Sequence, residues 1–421
     1  MDLVDQLNAL KGRTRQRGGQ SKAPEKPPAD AVRPDPHALA ALLDGTEVLE
    51  GPGGTLLVRR VECSLDADFS PAAEMLASAL GAATEPATVG FLDTETTGLA
   101  GGTGTVAFLV GLAQIDGDRL RVEQIFMPDY GDEPALLERL RVRLAGFRAL
   151  VTYNGKTFDM PLLRTRWGLQ REREPEEMPH LDLLHVARRF FSHRMRGCGL
   201  ANVERAILNF EREGDLPGRA APKAYTRYLS GHELETMAEV FRHNETDLLA
   251  TALLLARLAA FFARPAERGW GEPGDWLGLA EWAEQIGHHE RARDAFRLAL
   301  GTLGATPQRT RVELKLADVC RRLDREDEAR DLWREVAERD PLAGWPAVRE
   351  IVRWHESRAE WGEAFRTADA TWQRFEQVRS LRSVGGEARL PTAWRQWMGE
   401  CERLRESLRQ ASGEEQLTLP I

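Results

Sequence analysis

The chain has 421 residues, a formal net charge of −9 and an apolar fraction of 42%. That length suggests two or three domains, and the apolar content is enough for real cores. The acidic balance excludes a general nucleic-acid coat, which would show as a basic domain. Cys63, Cys198, Cys320 and Cys401 are scattered and form no CxxC pair. This excludes a disulfide frame or a cysteine zinc site and points to reduced thiols in a cytoplasmic protein. A long uncharged apolar run is missing, as is an apolar-centred N-terminus. Neither a membrane span nor a signal peptide is therefore expected.

Residues 1–36 hold Arg13, Arg15, Arg17, Lys22, Lys26 and several prolines, with few apolar side chains. They read as a disordered basic arm, with a weak nucleic-acid contact as the alternative. Residues 37–87 form an expected N-terminal cap: a short helix at His37–Leu43, a strand at Thr55–Val61 and a helix at Pro71–Leu80. Three strands follow at Val89–Asp93, Val106–Gln114 and Arg119–Phe126, with turn signals between them. Glu133–Gly146 has helical spacing, with Leu136, Leu137, Leu140 and Leu144 on one face. Ala149–Tyr153 is a further strand, ended by the turn Asn154-Gly155, and a helix starts at Phe158. More helices are expected at Asp182–Phe191, Leu200–Leu208, Ala224–Leu229 and Thr236–Phe262. Three antiparallel strands, a helix and a parallel strand describe an α/β core, a mixed sheet with flanking helices.

Residues 270–405 look wholly helical, and they repeat. Leu279, Ala280, Ala283, Ala292 and Phe296 recur as Leu316, Ala317, Cys320, Ala329 and Trp333. A weaker third copy holds Ile351, Val352, His355, Trp361, Ala364 and Ala368, and Pro341 closes the second. This is tetratricopeptide-like spacing, which predicts an all-α repeat domain able to bind a protein partner. Its tryptophans read as inter-helix packing. Residues 406–421 read as a flexible tail.

The chemistry is concentrated in Phe91–Gly98, FLDTETTG. In a strand, Asp93 and Glu95 point to the same face. Two adjacent carboxylates repel, and a divalent cation is the simplest compensation. Three more acids stand out: Asp159 at the start of a helix, Asp182 in HLDLLH, and Asp247 on the long helix. His243 lies four residues before Asp247 and shares its helix face. Gly101-Gly102-Thr103-Gly104 lacks the Lys-Ser/Thr ending of a phosphate loop and reads as a turn near the acids.

FLDTETTGLAGGTGT, LVTYNGKTFDMPLLRTR, HLDLLHVARR and HNETDLLA, in that order, resemble the motifs of the DEDD (DnaQ-like) exonuclease superfamily. The similarity covers about residues 88–262, within an expected ribonuclease H-like domain over 88–264, and is closest to the YprB-like branch. It implies that Asp93, Glu95, Asp159 and Asp247 hold two Mg²⁺ or Mn²⁺ ions, and that His243 acts as general base or orients the water. The histidine lies four residues before the last Asp, where the histidine subclass has five. The resemblance also implies a nucleic-acid substrate, DNA or RNA, degraded from a single-stranded 3′ end. A silent nuclease fold acting through its repeats and an endonuclease with the same metals are the rival readings. Asp182 competes with Asp159 for the third ligand position or acts as a cap. Asn154 and Lys156 are candidate substrate contacts, with structural turn and solvated loop roles as alternatives. Arg164, Arg166, Arg188, Arg189, Arg194 and Arg196 form a local basic concentration able to receive an anionic strand, with Arg188 and Arg189 foremost.

Overall fold

The computed structural model describes residues 35–411 except 52, 66, 99–103, 213–215, 217, 233, 268–271, 305, 340–343 and 385–391. The basic arm before residue 35, the turn at Gly101–Thr103, Pro341 and the end of the tail lie outside the described residues. Two compact units form. Among the described residues, the first takes 35–67, 84–183 and 208–254; the second takes 68–83, 184–207 and 255–411.

The first unit is built on a seven-stranded sheet of order β1-β2-β5-β4-β3-β6-β7. Its strands are β1 (Thr46–Gly51), β2 (Gly54–Ser64), β3 (Val89–Thr96), β4 (Ala107–Asp116), β5 (Arg119–Phe126), β6 (Ala149–Thr152) and β7 (His180–Asp182). The first five strands pair antiparallel, while β6 and β7 run parallel to β3. This is the mixed sheet with flanking helices that the sequence predicts. The sheet is wider than predicted: β1 and β7 are additional strands, and β2 joins the same sheet. Asp182 ends a strand, and the helix there, α5 (Leu183–Phe191), begins one residue later.

Helix α1 (Pro36–Ala40) is capped by Asp35, which accepts from the His37 N–H at 2.9 Å. Helix α3 (Glu133–Leu144) follows α2 (Ala72–Leu80) in the chain and buries the four predicted leucines. Alternate residues of β5 show how the sheet is sandwiched. Gln124 Nε2 donates to the Phe241 carbonyl of α8 (Leu234–Ala263) at 2.7 Å. Its neighbour Glu123 points the other way and receives Arg139 of α3 at 3.0 Å. Helix α4 (Asp159–Gln170) joins α3 through Trp167 Nε1, which donates to the Leu137 carbonyl at 3.2 Å. Helix α6 (Leu200–Val203) continues as a π-helical turn over Glu204–Leu208, and α7 (Ala221–Leu229) precedes α8. Among the described residues, α8 is long and apolar enough to cross a membrane. Its apolar side chains Met237, Phe241, Leu248 and Leu254 are instead buried in the protein core.

The second unit carries the last seven helices: α9 (Pro273–Gln285), α10 (His289–Thr302), α11 (Pro307–Arg322), α12 (Glu326–Arg339), α13 (Trp345–Ser357), α14 (Trp361–Val384) and α15 (Thr392–Ala411). Each packs on the next. The repeating set Leu279, Ala280, Ala283, Ala292 and Phe296 is buried, as is its second copy. Trp361 of the third copy is exposed.

Candidate active site

The apolar run Val89–Leu92 sets β3 inside the sheet, between β4, which pairs with Gly90–Thr96, and β6, which pairs with Val89–Phe91. Asp93 and Glu95 therefore emerge together on one face, toward α8. A register shift between Glu95 and Thr96 marks the point where the strand is re-aimed, as β-bulges near functional sites do. From α8, Asn244 Nδ2 donates to Asp93 Oδ2 at 2.8 Å. One residue earlier, His243 Nε2 lies 4.0 Å from Glu95 Oε1 and 3.8 Å from Asp247 Oδ2. Residues about 150 positions apart in the chain thus share one site.

Asp159 arrives from across the strand. Thr94 alternates to the face opposite Asp93 and Glu95, and its hydroxyl donates to Asp159 Oδ1 at 2.5 Å. Glu95 and Asp159 are buried and Asp93 is half-buried. Burial, then the charges of Asp247, Asp159 and Glu95, push the Asp93 carboxyl well above the usual carboxylate range; the Asn244 hydrogen bond opposes this. Burial also pushes Asp159 up to about 6, against the Thr94 hydrogen bond.

Arg212 is the site residue that the sequence reading omits. Its Nη2 donates to Asp247 Oδ1 at 2.5 Å, and its Nη1 lies 3.3 Å from His243 Nδ1. A guanidinium has only donors, so Nδ1 accepts and the neutral ring carries its hydrogen on Nε2. No periodicity singles Arg212 out: it sits between Glu211 and Glu213 in a polar stretch.

The other sequence candidates fall elsewhere. Asp182 accepts from the backbone N–H groups of Asn154 at 2.8 Å and Lys156 at 3.1 Å, so it holds the loop after β6. Asn154 takes a left-handed φ of 70°, and its Oδ1 accepts from Thr157 at 2.7 Å, a turn role that suits asparagine. Lys156 lines a cavity of about 600 Å³ with Arg164 and His180. Arg188 and Arg189 belong to the second unit, where Arg189 faces Glu281 at 3.4 Å. Arg166 is engaged with both oxygens of Glu133 and Arg194 with Asp275, so much of the expected basic concentration is spent on internal ion pairs.

Among the described residues, no group of three or more His, Cys, Asp or Glu side chains stands in ligating geometry for a metal. Carboxylate oxygens are nonetheless the donors that hard cations take. Four carboxylates, acceptor-only when ionised, lie near one end of β3, where the charges of the other three raise Asp93, and each of three is held by a protein donor: Asn244, Thr94 or Arg212.

Comparison with known proteins gives the family. The RNase_H superfamily model matches residues 90–259. The uncharacterized protein YprB of Bacillus subtilis (strain 168) is 32% identical over 283 residues, covering 66% of this chain and 68% of its own.

The chain belongs to the RNase H superfamily, in the YprB family.

The matched span of the superfamily starts on β3 and ends on α8, so it includes Asp93, Glu95, Asp159, His243 and Asp247. A family B DNA polymerase from Pyrobaculum calidifontis is 16% identical, with a TM-score of 0.36, over 51% of this chain and 30% of its own. At that score the likeness adds nothing to the assignment. RNase H superfamily membership supports a nuclease acting on nucleic acid and, in general, the use of divalent metals.

Proposed function

We propose that this YprB-family protein is a metal-dependent 3′–5′ exonuclease. The carrying observation is the meeting of β3 and α8, where His243 Nε2 lies 4.0 Å from Glu95 and 3.8 Å from Asp247. Asp93, Glu95, Asp159 and Asp247 would hold Mg²⁺ or Mn²⁺. Two such ions supply charge stabilisation for the attacking and leaving oxygens of a phosphodiester. The chain's own residues do the rest. Asn244 fixes the Asp93 carboxylate, and Thr94 fixes Asp159. The water oxygen attacks phosphorus, its proton passes to His243 Nε2, and the bond from phosphorus to the 3′ oxygen breaks. The leaving oxygen takes up a proton, and a nucleoside monophosphate is released. His243 accepts at Nε2 only once Arg212 has left Nδ1, because the pairing with Arg212 puts the ring hydrogen on Nε2. Arg212 is then available to bind the substrate phosphate. The helical unit binds a protein partner, as tetratricopeptide-like arrays do.

End-labelled single strands of DNA and RNA, incubated with Mn²⁺, test this. Mononucleotide release is expected and should vanish in Asp93→Ala/Glu95→Ala. No release above that double variant on either nucleic acid refutes the reading, and cutting of a circular strand reassigns the enzyme as an endonuclease. One observation favours a silent scaffold instead: Arg212 already occupies Asp247. A calorimetric titration without Mn²⁺ binding would support that rival.

A further inference from the structure

Behind Asp93, four adjacent strands place cross-strand neighbours in one row: Arg59 of β2, Gln124 of β5, Gly111 of β4 and Asp93 of β3. Helix α8 lies over this row, and a hydrogen-bond chain runs along it. Arg59 Nη1 donates to Gln124 Oε1 at 2.8 Å. Gln124 Nε2 donates to Asn244 Oδ1 at 2.9 Å, and Asn244 Nδ2 donates to Asp93 Oδ2 at 2.8 Å. Arg59 is anchored by Glu245 Oε2 at 2.6 Å and by the Asp44 carbonyl at 3.2 Å. Gln124 and Asn244 are fully buried.

The direction of this chain is forced. An arginine only donates, and an ionised carboxylate only accepts. Between these ends, each amide has one orientation that satisfies both neighbours. Arg59 turns the oxygen of Gln124 toward itself. That turns the Gln124 nitrogen to Asn244, and so the Asn244 nitrogen to Asp93. A flipped amide would set oxygen against oxygen in a buried site, at a cost of about 1–3 kcal/mol.

We propose that Arg59, Gln124 and Asn244 form a positioning relay that sets the orientation of the Asp93 carboxylate for a divalent cation. This rests on the nuclease reading, with Asp93 as a metal ligand. Partners that orient a ligating side chain typically change metal affinity about 10–100-fold when mutated.

Gln124→Glu tests the relay. It conserves size and keeps a partner for Arg59, but it makes position 124 acceptor-only, so Asn244 must turn its oxygen toward Asp93. Simple electrostatics predicts the opposite outcome, because an added negative charge attracts a cation. Mn²⁺ binding is followed by calorimetry on the full chain, with thermal melting as the folding check. The relay predicts an affinity at least about tenfold weaker than wild type. An unchanged or tighter affinity in a folded variant overturns the relay and leaves the nuclease reading standing. Should Gln124→Glu not fold, Gln124→Met, which removes both relay hydrogen bonds, and the one to the Phe241 carbonyl, without adding charge, is held to the same criterion. Wild-type protein that binds no Mn²⁺ overturns both the relay and the nuclease reading.

Discussion

At the residue scale, the site is defined as much by what holds each acid as by the acids themselves. Arg212 neutralises Asp247 and is itself mostly buried. Removing a positive charge beside a cation site strengthens cation binding. Arg212→Met is therefore expected to tighten Mn²⁺ binding several-fold in calorimetry while lowering kcat/KM on labelled strands, since the phosphate contact goes with it. Tighter binding with unchanged turnover would remove Arg212 from substrate binding. A second residue carries a pH signature. Burial, then the charge of Lys156, depress the His180 imidazole from its usual range to about 4. The fold therefore favours the neutral ring. Its contribution is present above about 6.5 and is lost as pH falls through about 4, on the order of 3 kcal/mol in all. Its Nε2 meets Thr152 Oγ1 at 2.8 Å, a contact that glutamine can keep. His180→Gln should consequently gain on wild type as urea denaturation is repeated from pH 7 down to pH 4. A difference that does not vary with pH would contradict a buried neutral His180.

At the element scale, the approach of α8 to the sheet decides whether the site exists. Gly111 makes that approach possible: a Cβ there would lie 2.2 Å from Asn244 Oδ1 and 2.7 Å from a Leu248 methyl. Both neighbours belong to a buried helix face, so they cannot move aside singly. Gly111→Ala is expected to destabilise by about 1–3 kcal/mol in urea and to weaken Mn²⁺ binding, because Asn244 is pushed off Asp93. Intact stability and affinity would show that α8 packs more loosely than described. Elements with strong periodicity were legible in the sequence. β3, β5, α3 and the long helix fall within a few residues of where apolar spacing puts them. β1 was not legible, because an edge strand with mostly exposed and half-buried residues has no clean alternation. β7 has three residues, too few to show a period. The four acids and His243 could be read from local motifs on β3, α4 and α8. The relay could not, since Arg59, Gln124 and Asn244 come from three distant segments joined only by sheet register and helix packing. Arg212 escaped for the same reason.

At the scale of the whole molecule, the two units do not divide the chain at one point. A boundary after residue 264, natural from the change to helical repeats, cuts through the second unit, which also draws on residues 68–83, 184–207 and 255–264. These early segments bury their side chains against later helices of that unit. Phe190 and Phe262 each pack edge-on to Trp282, at 5.5 and 5.6 Å between ring centres. Gly278 of α9 lies so close to the Arg189 carbonyl that a Cβ would stand 2.2 Å from it, and Arg194 pairs with the buried Asp275. A fragment of residues 1–264 would leave Phe190 and Phe262, both fully buried in the intact chain, without the Trp282 ring that covers them. Each aromatic side chain so exposed forfeits about 1.5–3 kcal/mol, and two together are a sizeable share of a typical domain's stability. The fragment is expected to bind a hydrophobic dye and melt well below the full chain, whereas the full chain melts without dye binding beforehand. Cutting after residue 264 while supplying residues 265–421 as a separate chain should restore the melting temperature, because the missing surface is then returned. A fragment that melts at the full-chain temperature and binds Mn²⁺ unaided would show that the sheet unit carries its own stability, and that α5 and the end of α8 need no cover from the helices after Pro265.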